Sequence, residues 1–248
     1  LNFLSLFKRK LIFKLKKKIN IDNQTVDNNS LDNLFQFFGS DKANKFLKNK
    51  NSQGHGYSTH YTNELKNLKE KKMNILEIGS YSGASAAAFT KFFFNSKIFC
   101  FDINISNFKY SSKNIEVYGL DINNQKDLQK VLKKIFSTHN FKNFDLIIDD
   151  GSHNLSDILF SFNFFFKYLN KKGFFILEDY KLPNYYDYNK NVDDILIDEL
   201  IKKLQLKKKF NSSIINEKDQ IYLINNIKRI KIYKGNLVDS DICFIQKD

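Results

Sequence analysis

Glu77-Ile78-Gly79-Ser80-Tyr81-Ser82-Gly83 closes a short apolar run, Met73 to Ile78, and opens an Ala-rich segment of helical character, ASAAAFTKFFF. Reading that turn decides the fold. Glycines at 79 and 83 let the backbone turn tightly and approach a ligand closely, and the helix start behind them offers free N–H donors. In dinucleotide-binding folds this place holds a pyrophosphate and reads GxGxxG. Here the spacing is GxxxG, and Glu77 stands two residues ahead of the first glycine. A carboxylate there repels a pyrophosphate but can pair with an amino group.

Outward from the turn, strands and helices alternate. KIFCFDI reads as a second strand, NIEVYGLDI as a third, FDLIIDD as a fourth and GFFILED as a fifth. NQKDLQKVLKKIFSTH and NLSDILFSFNFFFKYL have helical spacing between them. Continuous apolar strands separated by helices imply a parallel sheet covered on both faces. VDDILIDELIKKLQL adds a helix, and KRIKIYKG and DICFIQK are close enough to pair antiparallel. Upstream, SQGHGYSTHYTNELKNLKE predicts a loop that turns helical near Thr59. LFQFFGSDKANKF predicts a helix ending at Gly39, and residues 20–32 predict a polar loop. No internal repeat is visible. The expected fold is α/β and Rossmann-like, a mostly parallel seven-stranded sheet with a C-terminal antiparallel strand.

Acidic residues close successive strands. Asp102 ends the second, where it can accept both hydroxyls of a ribose, and Asp121 follows the third, where it can meet an adenine amino group. A strand-end Asp alone is often only a helix cap. Three acids on three successive strands, beside a glycine turn, are hard to explain as caps.

Asp149-Asp150-Gly151-Ser152-His153 follows the fourth strand, and Glu178-Asp179 ends the fifth. Neighbouring strands lie about 4.8 Å apart, and ligands bind at their carboxyl ends. Asp150, Glu178 and Asp179 are therefore expected to converge, and carboxylates so close need a counter-ion such as Mg²⁺. A metal that binds a hydroxyl also lowers its pKa. His153 can take the hydroxyl proton near neutral pH, although a lone histidine after a strand is more often a helix-start hydrogen bond.

EIGSYSGAS resembles the motif of catechol O-methyltransferase and its relatives, which use S-adenosylmethionine. That resemblance implies that Glu77, Gly79, Tyr81, Gly83 and Ser85 line the methionine end of the cofactor. DDGSH followed by ED is similar to the macrolide-sugar O-methyltransferases of the mycinamicin and macrocin type, and GSDK and HGYSTHY resemble that family's GTDK and HxY segments. The likeness runs from about Gly39 to the final strand. It implies a class I methyltransferase domain over 33–248, Mg²⁺ on Asp150, Glu178 and Asp179, and His153 as base. Asp149 joins Asp102 and Asp121 on the cofactor side, and Tyr57 is expected to close over it. Ser40 departs from the usual Thr. YKLPNYYDYNK after Asp179 matches no pattern of the family, and it falls where the acceptor should sit.

The expected reaction is methyl transfer to a sugar or glycoside hydroxyl. A catechol acceptor and a non-catalytic S-adenosylmethionine-binding protein are the alternatives. The partner is then a small-molecule or glycan acceptor and no nucleic acid, because no recognition module or NPPY-like motif is present; homo-oligomers are compatible with the sequence. The net charge of +13 suggests an acidic partner. Lys, Asn, Ile and Phe are abundant together, however, which an AT-rich genome alone would produce. Cys100 and Cys243 sit in apolar strands without CxxC spacing, as expected of buried thiols in a reducing, cytoplasmic setting.

Residues 1–32 are expected to form a basic extension and linker. LNFLSLFKRKLIFKLKKKIN has no apolar stretch long enough to span a bilayer and is a poor signal peptide. Phe3, Phe7, Leu11, Leu15 and Ile19 recur every four residues among lysines. That pattern predicts either a basic amphipathic helix on a membrane's inner face or a partner, or a loosely attached helix.

Overall fold

The computed structural model describes residues 3–26, 30–46 and 52–248, so parts of the predicted N-terminal extension and polar loop lie outside the described residues. Two compact units are present: Leu1–Phe141 with Gly235–Val238, and Lys142–Lys234 with Asp239–Asp248.

The first unit contains three parallel strands, β1 (Asn74–Ile78), β2 (Lys97–Asp102) and β3 (Ile115–Gly119). Their register pairs Glu77 with Cys100 and Asp102 with Gly119, which brings the carboxyl ends level. β3 stops at Gly119, short of the predicted Ile122, because Asp121 to Asn124 turn towards the next helix. Helices α1 (Phe3–Leu15), α2 (Leu31–Phe38), α3 (Ser58–Leu65), α4 (Ala84–Phe92) and α5 (Gln125–His139) complete the unit.

Local chemistry explains their ends. Ser30 caps α2 by accepting the Asn33 N–H, and Gly39 stops it in the left-handed region at φ 77°. Asn124 caps α5, which buries Leu128, Leu132 and Ile135 at helical spacing. α4 is buried along nearly its whole length, and its small alanines leave room for that. Edge-to-face contacts of Phe35 on α2 with Tyr61 on α3 and Phe89 on α4, at 6.3 and 5.3 Å, hold the three helices together.

α1 ends at Leu15, so the predicted four-residue repeat breaks before Ile19. Ile19 and Asn20 instead pair in parallel with Tyr110 and Ser111.

The second unit holds β4 (Phe144–Asp149), parallel to β5 (Leu169–Glu178), then β7 (Asp241–Lys247) antiparallel to β5, and β6 (Ile227–Lys234) antiparallel to β7. Its helices are α6 (Leu155–Phe165), the short α7 (Leu182–Tyr185), α8 (Ile197–Gln205) and α9 (Glu217–Asn226). The strands of the first unit and the β4–β5 pair of the second are thus parallel, with the expected antiparallel pair, β6 and β7, at the C-terminal end.

Two readings need correcting here. α8 starts at Ile197 and not at Val192, because Asp194 is engaged elsewhere, accepting the Ser213 N–H and hydroxyl at 2.7 and 2.8 Å. α9 was not predicted at all. It buries only Gln220 and Leu223, so its sequence carries no apolar period, and Asn216 starts it by capping the Asp219 N–H.

Candidate active site

The cofactor half of the predicted site lies in the first unit. At the end of β1 the chain passes through three left-handed residues, Gly79 (φ 83°), Tyr81 (φ 41°) and Gly83 (φ 76°). Tyr81 is the only one of these with a side chain, and its ring is 63% exposed. A Cβ on Gly83 would stand 2.4 Å from the Phe108 ring, so glycine is required there for space as well as for φ.

The acids predicted on this half are fixed by the turn itself. Glu77 is fully buried and accepts the Ser85 hydroxyl at 2.5 Å, which ties strand β1 to the first turn of α4. Asp102 accepts the Tyr81 N–H at 2.7 Å on one oxygen and the Asn104 N–H at 2.5 Å on the other. Each oxygen keeps a second lone pair for a ligand hydroxyl. Asp121 accepts the Asn123 N–H at 3.0 Å, a local turn that leads into α5.

Tyr57 is completely buried at the start of α3, with its ring 5.3 Å from that of His55. Its N–H donates to the Lys42 carbonyl at 2.9 Å, and the His55 N–H donates to the Asp41 carbonyl at 2.7 Å. The GSDK and HGYSTHY segments are therefore one backbone-bonded assembly. Asp32 secures it by accepting the Ser58 hydroxyl and the Asn44 N–H, both at 2.7 Å. Nothing in the sequence marked Asp32, because its partners are 12 and 26 residues away.

The metal half lies in the second unit. Asp150, His153 and Asp179 offer ligand atoms that all lie within 4.8 Å of one another, and His153 Nε2 is 3.6 Å from Asp150 Oδ1. Both His153 (φ 57°) and Asp179 (φ 50°) are non-glycine residues in the left-handed region. Backbone strain of that kind concentrates at functional sites.

The predicted trio is only partly assembled. Asp150 and Asp179 meet, and His153 takes the third place. Glu178 ends β5 buried at 2% exposure and stands outside the group. Successive strand side chains point to opposite faces, so Glu178 and Asp179 do not naturally share one. Asp149 is buried and accepts the Gly151 N–H at 3.2 Å. Burial pushes its pKa up to about 6, helped by the charge of Asp150 and opposed by Ser161 and His153.

A second cluster follows Asp179 directly. Asp241 on β7, 2% exposed, accepts the Lys181 ammonium at 2.9 Å, the Tyr185 hydroxyl at 2.9 Å and the Lys234 ammonium at 2.8 Å. Farther along, exposed Tyr186 and Tyr188 stack at 5.5 Å. Sequence reasoning missed this cluster, because Lys181 and Asp241 are 60 residues apart.

No family model matches the chain. Among curated proteins it is 30% identical over 132 residues to L-olivosyl-oleandolide 3-O-methyltransferase of Streptomyces antibioticus, covering 50% of this chain and 32% of that protein. It is 24% identical over 144 residues to demethylmacrocin O-methyltransferase of Streptomyces fradiae, covering 55% and 35%. The chain spans about a third of the length of these relatives. Among solved structures, the MycE methyltransferase in complex with Mg, SAH and mycinamycin VI superposes with a TM-score of 0.66 at 19% identity, over 88% of this chain and 54% of that one. The parallel strand pairings, the glycine turn and this superposition agree: the chain has the Rossmann-like class I methyltransferase fold, in a form similar to the macrolide-sugar O-methyltransferases.

Proposed function

We propose that the protein is a metal-dependent O-methyltransferase that moves a methyl group from S-adenosylmethionine to a hydroxyl of a sugar or glycoside. The observation that carries this reading is the Asp150–His153–Asp179 group, with its ligand atoms within 4.8 Å of one another. Two carboxylates suit a hard divalent cation such as Mg²⁺ or Mn²⁺, and the imidazole beside them is within reach of a hydroxyl held there. The names of the relatives support the same chemistry, since each is an O-methyltransferase of a macrolide or its sugar.

Each residue has a task in this reading. Glu77 receives the amino group of the methyl donor, Asp102 its ribose hydroxyls and Asp121 its adenine amino group. Gly79, Gly83 and Ser85 bring backbone close to it, and the Asp41–Tyr57 assembly supports that wall. A bound cation would hold the acceptor hydroxyl and lower its pKa. Asp150 and Asp179 supply the carboxylates for it. His153 accepts the hydroxyl proton at Nε2 and so leaves the oxygen free to attack. The exposed pair Tyr186 and Tyr188 offers flat apolar faces of the kind that sugar rings stack on. Buried, unbridged Cys100 and Cys243 suit a reducing compartment, and we place the protein in the cytoplasm.

The test is methyl transfer from radiolabelled S-adenosylmethionine to a panel of glycosides and catechols, with Mg²⁺ and with excess chelator. Label in glycosides that depends on the metal supports the reading. Label confined to catechols moves the acceptor to phenols. Binding of S-adenosylhomocysteine with no transfer to any acceptor class makes the chain a cofactor-binding protein.

A further inference from the structure

Helix α1 meets the first unit through its cationic side. Arg9 donates to the Ile103 carbonyl at 2.9 Å, and Lys16 donates to the Ser106 and Asn107 carbonyls at 3.0 and 3.1 Å. The Phe13 ring meets Phe108 edge-on at 6.3 Å. The side left outward is apolar: Leu4 is 74% exposed, Phe7 58%, Leu11 48% and Leu15 79%. At 3.6 residues per turn these four fall within a stripe about 80° wide. That inverts the usual arrangement, in which the apolar stripe of a helix faces the core.

Cations border the stripe. Lys8, Lys10, Lys14 and Lys17 are exposed, and residues 1–20 contain no acid. Phe7 and Leu11 of the stripe also line a cavity of about 460 Å³ beside the helix, together with Phe13, Ile105, Val117 and Lys10.

We infer that α1 is a docking surface for an anionic lipid bilayer. Leu4, Phe7, Leu11 and Leu15 enter the boundary between headgroups and acyl chains, and the flanking lysines meet the headgroup charge. Charge selects this occupant. An apolar stripe alone would fit the groove of a protein, but cations on both flanks, with no acid on the helix itself, fit a surface that is negative throughout. The polar anchors at Arg9 and Lys16 keep the apolar stripe turned outward, so the docking face is built before the membrane is met. The inference is independent of the methyl-transfer reading.

The experiment is sedimentation of the 248-residue chain with vesicles of phosphatidylcholine, and with vesicles of equimolar phosphatidylcholine and phosphatidylglycerol. The chain is expected to pellet with the anionic vesicles, to stay in solution with the neutral ones, and to be released by about 0.5 M salt. The double variant Phe7→Ser/Leu11→Ser, and separately Lys8→Glu/Lys14→Glu, should each weaken binding about tenfold or more at unchanged thermal melting. Equal binding to neutral vesicles, or none to the anionic ones, overturns the proposal. So does a dimer in solution that Phe7→Ser/Leu11→Ser turns into a monomer, since the stripe would then cover itself.

Discussion

The backbone N–H of Tyr81 donates to Oδ2 of Asp102 at 2.7 Å, so the glycine turn after β1 hangs on the carboxylate that ends β2. That side chain shapes the turn, and in the proposed site its remaining lone pairs would meet the ribose hydroxyls. Asp102→Ala should weaken S-adenosylhomocysteine binding by about 1.5–3 kcal/mol, the scale of hydrogen bonds to a charged group. Calorimetry checks it, and NAD should give no heat. Unchanged affinity in the variant would remove Asp102 from the site.

Metal binding tests the other half. Activity should vanish with excess chelator and return with Mg²⁺ or Mn²⁺. Asp150→Asn and Asp179→Asn should each reduce Mn²⁺ affinity strongly while leaving S-adenosylhomocysteine binding intact. Glu178→Gln, whose carboxylate stands outside the assembled group, should lose less. A loss at Glu178 as large as that at Asp179 would show the carboxylate turning in to bind.

His153 lies close enough to Asp150 and Asp179 to be a ligand, and its assignment as base needs a separate readout. His153→Ala should lower turnover by about 10²–10⁴-fold, the usual contribution of a general base. Mn²⁺ affinity should stay unchanged. A fall in metal affinity that accounts for the lost rate would make the imidazole a ligand instead.

Gly83 combines φ 76° with a Phe108 ring 2.4 Å from where a Cβ would sit. Gly83→Ala should destabilise the fold by about 1–3 kcal/mol, from backbone strain and overpacking together. Added to a Phe108→Ala background, where the ring it meets is gone, Gly83→Ala should cost only the strain. Thermal melting of the three variants measures both.

Glu116 gives a pH signature. Burial works to raise its pKa, but bonds from Tyr118, Lys97 and His139 win, and the pKa is lowered. A carboxylate whose folded pKa is depressed adds stability above its unfolded pKa and loses it as pH falls through the folded one. Glu116→Gln should therefore melt lower than the parent at pH 7, and the gap should narrow as pH falls out of the ordinary carboxylate range and through the depressed folded pKa. A gap that persists in acid would mean the bonds do not depend on charge.

The strand and helix order was readable because it rests on short-range signals: apolar runs, the GxxxG turn, and caps such as Ser30 and Asn124. Glu77, Asp102, Asp150 and Asp179 were readable for the same reason, since strand ends dictate where they stand. What escaped depends on distance or on the absence of a pattern. α9 buries too few apolar residues to show a period. Asp32 and Asp241 gather partners from far along the chain. The place of His153 beside Asp179, with Glu178 left out, depends on two left-handed residues whose φ no residue type announces. The outward turn of α1's stripe was equally hidden, because periodicity defines a face but not its direction.

The segment after Asp179 behaves as an exchangeable cassette. Its front end is pinned where Lys181 and Tyr185 meet Asp241, and its back end where Asn191 donates to the Ser156 hydroxyl at 2.8 Å and accepts the Ser156 N–H at 3.1 Å. Between those pins, Tyr186 and Tyr188 carry their rings in the open. Asn189, buried and donating to Asn154, and Tyr186, whose hydroxyl donates to Asp239, belong to the frame, so the freely exchangeable positions are Asp187 and Tyr188. Enzymes of one scaffold could diversify their acceptors by that route, and a designer has the same freedom at residues 187 and 188.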